Sequence, residues 1–244
     1  MEDEEEEDCC KVVLLGETGV GKTSIITRFF NGSFEERLMS TNGASYINKN
    51  MVFPEYENKV VNFEIWDTAG QEQYRALNKI FYKDASICIL VYDITSLNSF
   101  NSLIDYWYKE ILNTAPKNII LGLAANKSDL DDKEIVKEDI AREFAKEINA
   151  IFMYTSAFKS FGIDELFHYL GCRYIDPNFK VDDQKYDELK KNIKSNKEDN
   201  NIKDIKDNKN KKNKKDKKDK KDKNKIKLDE KSHKEKQPKR KKCC

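Results

Sequence analysis

The sequence has no window that approaches the roughly 18 consecutive apolar residues of a membrane-spanning helix. It opens on acidic residues with no apolar stretch behind them, so no secretory signal is expected. Residue 2 is Glu and not Gly, so N-myristoylation is not expected. There are only two histidines, His168 and His233, and neither belongs to a catalytic constellation. The first is expected on a helix and the second in the C-terminal tail. The six cysteines are also a poor disulfide framework, because four of them form the neighbouring pairs Cys9-Cys10 and Cys243-Cys244 near the chain ends. A reducing cytosolic setting follows as the simplest account. Cys88, inside an apolar run, is expected as ordinary core.

Charge is plentiful, and it is unevenly placed. The 244 residues carry a net charge of only +1, yet Glu2 to Asp8 is an unbroken acidic run. Residues 177–244 hold 27 Lys+Arg against 14 Asp+Glu, a net +13, and residues 1–176 hold the balancing −12. The tail is built almost wholly of Lys, Asn and Asp and has too few apolar residues to offset the entropy of ordering it. The expected organisation is an acidic disordered N-terminus over 1–9, one folded domain over 10–176, and a disordered tail over 177–244. The folded part is long enough for a single well-buried core.

Within that part, apolar β-branched runs alternate with helical patterns. Strands are expected at Lys11–Leu15, Ala44–Phe53, Lys59–Trp66, Ser86–Tyr92, Ile119–Ala125 and Ile151–Thr155. Pro54 to Asn58 reads as the turn of a hairpin. Phe100, Leu103, Ile104, Trp107 and Ile111 recur at helical spacing, as do Ile140, Phe144 and Ile148, then Ile163, Leu166, Phe167 and Leu170; all are expected as core. Such alternation implies an α/β fold of three layers, a mostly parallel six-stranded sheet with helices on both faces. Ligands of these sheets bind beyond the carboxyl ends of the strands. In the second hairpin strand Val61, Phe63 and Ile65 share the core face, which leaves Trp66 on the polar face. Either a loop caps it or it serves a partner surface.

Four motifs sit at those carboxyl ends. Gly16-Glu17-Thr18-Gly19-Val20-Gly21-Lys22-Thr23, followed by Ser24, lies between a strand and a helix. Its glycines let successive N–H groups point at an anion, and the helix adds its positive end. Lys22 can reach outer phosphates and Thr23 can ligate Mg²⁺. Asp67-Thr68-Ala69-Gly70-Gln71 offers a carboxylate for the metal's water shell, an unobstructed N–H for a terminal phosphate, and an amide to orient an attacking water. Asn126-Lys127-Ser128-Asp129 places a carboxylate where guanine, but not adenine, presents two adjacent N–H donors. Thr155-Ser156-Ala157 follows the last strand.

Over residues 11–174 the chain resembles the Ras-like small GTPases, and among them the Rab family, most of all its endocytic branch. The Rab likeness is carried by Asn42-Gly43-Ala44-Ser45-Tyr46, Phe63-Glu64-Ile65-Trp66, Gln73-Tyr74-Arg75-Ala76-Leu77, Phe81-Tyr82-Lys83-Asp84-Ala85, Leu90 to Thr95 and the terminal Cys243-Cys244. The resemblance implies a GTP hydrolase with Mg²⁺ as cofactor. It implies that Lys22 contacts the β- and γ-phosphates, and that Thr23 and Thr41 ligate the metal. Asp67 then holds the metal through water, Gly70 senses the γ-phosphate and Gln71 positions the catalytic water. Asn126, Asp129, Ser156 and Ala157 would recognise guanine, Lys127 would pack along it, and Phe34 would stack near its edge. Two loops, over 33–44 and 70–82, are expected to order with GTP and release after hydrolysis. Tyr46, Trp66 and Phe81 match the family's effector-contacting aromatic trio. Implied partners are an exchange factor, an activating protein, effectors, a prenylation escort and a GDP-dissociation inhibitor, with no nucleic acid.

Three positions depart from the family pattern. Asn42 stands where an apolar residue is usual, Phe158 stands where Lys usually follows Ser-Ala, and the stretch from Thr41 to Asp67 is about four residues longer than usual, a length that the hairpin turn around Pro54–Asn58 can absorb. The terminal Cys243-Cys244 resembles a double geranylgeranylation signal, and two lipid chains give stable anchoring where one does not. The preceding Lys239-Arg240-Lys241-Lys242 favours an anionic leaflet. The expected location is the cytoplasmic face of endosomal or vesicle membranes. Two other functions fit the same residues: an effector-binding module with negligible hydrolysis, or an RNA-binding protein acting through its lysines.

Overall fold

The apolar runs form six strands: β1 (Cys9–Leu15), β2 (Ala44–Phe53), β3 (Lys59–Thr68), β4 (Ile87–Asp93), β5 (Ile120–Asn126) and β6 (Ile151–Tyr154). In the computed structural model they make one sheet in the order β2-β3-β1-β4-β5-β6. Residues 8–35, 44–68 and 81–182 are described. The chain divides into two units, Met1–Val181 and Asp182–Cys244, and the sheet belongs to the first. The β2–β3 pair is antiparallel and every other pair is parallel. Among the described residues, no helix is long and apolar enough to cross a membrane.

Among the described residues, four helical elements pack on the sheet. They are α1 (Lys22–Asn31), α2, α3 (Glu138–Glu147) and α4 (Ile163–Ile175). Helix α2 is composite: Leu97–Ser102, a π-turn over Leu103–Trp107, then Tyr108–Thr114. Register decides which face each helix covers. Phe63 pairs with Cys10, Val12 with Ile65 and Ile87, and Ile89 with Gly122, so these residues share one face. There α4 lies so close to β5 that a Cβ on Gly122 would stand 3.0 Å from Leu170 Cδ1. Helix α1 joins α4 through Phe29 stacked on Phe167 at 3.9 Å. On the other face Tyr92 meets Phe100 of α2, and Phe100 meets Phe144 of α3. The expected three layers are present.

The details differ from expectation at several places. β3 runs on past Trp66 to Thr68, because Asp67 and Thr68 still pair with Ser45 and Ala44 of β2. Asp67 is therefore held by the sheet. β1 starts at Cys9, which pairs with Asn62, and just before it Asp8 is tied down by Lys59 at 2.6 Å and by the Tyr174 hydroxyl at 2.9 Å. Ile140, expected in the core, is 53% exposed; α3 instead buries Ala141, Phe144 and Ala145, with Ile148 at its C-cap. Val61, Phe63 and Ile65 are fully buried, as their alternation requires, and so is Cys88, whose thiol burial pushes to a raised pKa.

Candidate functional site

The loop over 16–21, expected to hold phosphates and called the phosphate loop below, follows β1 and turns directly into α1. Two of its glycines are sterically required. Gly16 has φ 150° and a Cβ there would stand 2.2 Å from the Val91 carbonyl oxygen of β4. Gly21 has φ 100° and a Cβ there would stand 2.4 Å from Asn126 Nδ2. The loop thus threads between the ends of β4 and β5 with only its backbone fitting. Thr18 and Gly19 are exposed at its tip, and Ser24 lies in the first turn of α1. Lys22 is buried, and its Nζ donates to the carbonyls of Gly16 at 2.8 Å and Glu17 at 3.0 Å. Burial disfavours its charge and lowers its pKa to about 8, although Asp67 and Glu17 oppose the shift.

Thr23 and Asp67 are 44 positions apart in sequence, and the Thr23 hydroxyl donates to Asp67 Oδ2 at 2.7 Å. Parallel pairing of β1 with β3 produces this meeting, since it carries both strand ends to one edge. Hydroxyl and carboxylate are hard oxygen donors, and the set fits Mg²⁺.

The residues expected to recognise the base gather at the ends of β5 and β6. Asn126 is 2% exposed; its Nδ2 donates to the Val20 carbonyl at 2.7 Å and its Oδ1 accepts from the Thr155 hydroxyl at 3.2 Å. It ties the phosphate loop to β6. The Ser156 hydroxyl donates to Asp129 Oδ1 and fixes that carboxylate. Ala157 is held through its carbonyl, which accepts from Arg28 Nε of α1 at 2.7 Å. Lys127 has a left-handed φ of 62° and its Nζ pairs with Asp93 Oδ2 at 2.7 Å. Phe34 meets Phe158 edge-on at 5.4 Å, so the residue that departs from the family pattern completes an aromatic corner.

Tyr46, Trp66 and Phe81 come together. Tyr46 and Trp66 are opposite one another across β2 and β3, their rings 4.9 Å apart, and Phe81 lies 5.3 Å from Trp66. Lys11 Nζ stands over the indole at 5.4 Å. Trp66 is half-buried between these neighbours. Thr41, Asn42, Gly70, Gln71, Cys243 and Cys244 lie outside the described residues, as do residues 1–7, most of the two loops over 33–44 and 70–82 that are expected to order with GTP, and the lysine-rich tail.

Three positioning residues escaped the sequence reading. Asp93 ends β4 and accepts from Lys127 and from the Thr95 N–H and hydroxyl. Burial opposes its charge, but these donors outweigh burial and hold its carboxyl below the usual value. Its signal was available, since an acid that closes an apolar strand needs a partner. Arg28 and Trp107 had no such signal. Trp107, in the π-turn, donates from Nε1 to Glu17 Oε1 at 3.3 Å and so braces the phosphate loop from α2.

Known proteins match the chain over this folded part. The model of the Ras family matches residues 11–175. Human Ras-related protein Rab-22A is 45% identical over 157 residues, which is 64% of this chain and 79% of that one. Mouse Ras-related protein Rab-31 is 42% identical over 157 residues, 64% and 78% of the two chains. Ras-related protein RHN1 of Nicotiana plumbaginifolia is 40% identical over 163 residues, 67% and 80%. Proteins of this kind work with regulators of their nucleotide cycle and with effectors. The chain belongs to the Ras family and, within it, to the Rab group: it is a small GTPase that binds GTP and GDP, hydrolyses GTP, and serves as a switch in membrane traffic.

Proposed function

We propose that the domain over 10–176 is a Mg²⁺-dependent GTP switch held on endosomal or vesicle membranes by the lipidated tail over 177–244. The observation that carries the reading is the 2.7 Å contact of Thr23 with Asp67, set one loop away from the Asn126–Val20 bond. Phosphate-binding and base-binding residues thereby share a single edge of the sheet. Thr23, Thr41 and Asp67, the last through water, would hold Mg²⁺, which when bound neutralises charge on the β- and γ-phosphates. Lys22 binds those same phosphates, and the loop amides of Glu17 to Lys22 cradle them. Asp129 pairs with the two guanine N–H donors, Asn126 and Ala157 flank the base, and Lys127 lies along it under the control of Asp93. Gly70 reads the γ-phosphate and Gln71 aligns water for in-line attack.

The partner-facing part rests on two supports. The Tyr46–Trp66–Phe81 cluster presents a continuous aromatic surface, with Tyr46 44% exposed. An effector that recognises the GTP state would dock there. Cys243 and Cys244 would be prenylated with the help of an escort, and a GDP-dissociation inhibitor would extract the lipidated protein. Single-turnover GTP hydrolysis tests the enzymatic part. The protein should turn over slowly alone and faster by several orders of magnitude with an activating protein that supplies an arginine. Gln71→Leu should keep GTP binding and lose the stimulated rate; unchanged turnover would refute the role given to Gln71.

A further inference from the structure

His168 and Cys172 of α4 take no part in the nucleotide site. They stand four residues apart and so lie on one side of the helix. Glu55, in the single 3-10 turn of the β2–β3 hairpin (Pro54–Tyr56), comes to meet them. Its Oε1 is 2.6 Å from His168 Nε2 and 3.1 Å from Cys172 Sγ, and the nitrogen and sulfur are 3.6 Å apart. An oxygen, a nitrogen and a sulfur therefore converge from two elements separated by more than a hundred residues.

The frame behind them is close-packed. Phe53, fully buried at the end of β2, stacks on the His168 ring at 5.4 Å and 20°. Gly171 admits it, since a Cβ there would stand 2.1 Å from Phe53 Cζ. Cys172 is fully buried, whereas the side chains of Glu55 and His168 keep 42% and 34% of their surface. The cluster is thus walled on the inside and open to water on the outside.

We propose that Glu55, His168 and Cys172 form a zinc site that pins the hairpin turn to α4, with water as the fourth ligand. A sulfur beside an imidazole selects Zn²⁺ over the harder Mg²⁺ used at the nucleotide. Tetrahedral zinc with bonds of about 2.0–2.3 Å separates its ligand atoms by roughly 3.3–3.6 Å. The sulfur–nitrogen pair already has that spacing, and Glu55 Oε1 must retreat by roughly 0.7 Å to reach it. An exposed carboxylate on a turn has that freedom. On binding, Cys172 releases its thiol proton to solvent, and thiolate plus carboxylate balance the two charges of the ion. The stretch Pro54–Asn58, where the sequence is expected to accommodate its extra length, is the one that supplies the carboxylate.

The test uses the full chain loaded with GDP and Mg²⁺, with Cys9, Cys243 and Cys244 changed to Ser so that other thiols do not compete. Zn²⁺ is titrated by calorimetry, and Co²⁺ serves as an optical probe. One ion per chain should bind, and Co²⁺ should show a thiolate charge-transfer band with tetrahedral visible bands. Glu55→Gln and His168→Gln should each weaken Zn²⁺ binding by at least about tenfold without changing GDP dissociation. Cys172→Ser should remove the charge-transfer band. The proposal is overturned if no ion binds at micromolar Zn²⁺, or if binding survives unchanged in both Glu55→Gln and His168→Gln. The readout does not involve hydrolysis, so its failure leaves the nucleotide reading intact.

Discussion

Replacing Asn126 by Ala should show how far the phosphate loop depends on the far side of the sheet. The amide joins two buried partners, the Val20 carbonyl at 2.7 Å and the Thr155 hydroxyl at 3.2 Å. Val20 and Asn126 are 2% exposed and Thr155 is fully buried, so water cannot replace the lost side chain without local opening. An orphaned buried group costs about 1–3 kcal/mol, which for two groups that relax in part gives about 2–4 kcal/mol. For a domain of this size that is a fall in melting temperature of roughly 5–15 °C. The same loss loosens the loop around the phosphates, and GDP dissociation should quicken by at least about tenfold, since each 1.4 kcal/mol is a factor of ten. Asn126 is also proposed to flank the base, so Thr155→Val serves as a comparison that leaves base contacts untouched. It should cost about 1–2 kcal/mol. The double variant should cost less than the sum by about 1 kcal/mol, because neither partner is then left facing an empty place. Calorimetry and release of a fluorescent GDP analogue would check this. A melting temperature within about 2 °C of the parent, or strictly additive losses, would refute the reasoning.

Three further perturbations address other parts of the site and frame. Burial lowers the Lys22 pKa to about 8. Bound phosphates favour the charged amine, so above that pH nucleotide binding must take up a proton, and uptake must grow as pH rises. At pH 8.5 calorimetry in buffers of different ionisation enthalpy should find about three-quarters of a proton per nucleotide, and none would contradict the assignment. Asp93→Asn should release Lys127 from its 2.7 Å ion pair and raise the GDP dissociation rate severalfold, measured by analogue release, with little change in melting temperature. Gly171→Ala forces a Cβ to within 2.1 Å of Phe53 Cζ and 3.0 Å of Phe63 Cζ. It should destabilise the domain by about 1–3 kcal/mol in denaturant unfolding, and Phe53→Leu in the same chain should restore part of the loss.

The sequence was most legible where one residue type has one chemical use. The glycine-rich loop, Asp67, the Asn126 to Asp129 motif and the Thr155 to Ala157 motif were each readable at a strand end, and all of them gather at one edge of the sheet. Strand alternation likewise identified Val61, Phe63 and Ile65 as core. Helical spacing was less decisive. Ile140 fitted the apolar stripe of α3 yet is exposed, because two alanines, Ala141 and Ala145, fill the space against the sheet instead. A hydrophobic stripe gives a direction around the helix but not the distance to what it faces.

Local chemistry and period therefore determined much of this protein from the sequence alone: which strands and helices form, where a glycine-rich loop joins a strand to a helix, and that the nucleotide is GTP. Those properties depend on neighbours within a few positions. Tertiary structure alone decided which side chains support the site. Asn126 reaches Val20 across 106 positions, Arg28 reaches the Ala157 carbonyl across 129, and Cys172 reaches Glu55 across 117. Each of these contacts depends on strand order and register. Parallel crossovers bring distant segments together, and the residue types that meet there are common ones with many other uses in a chain.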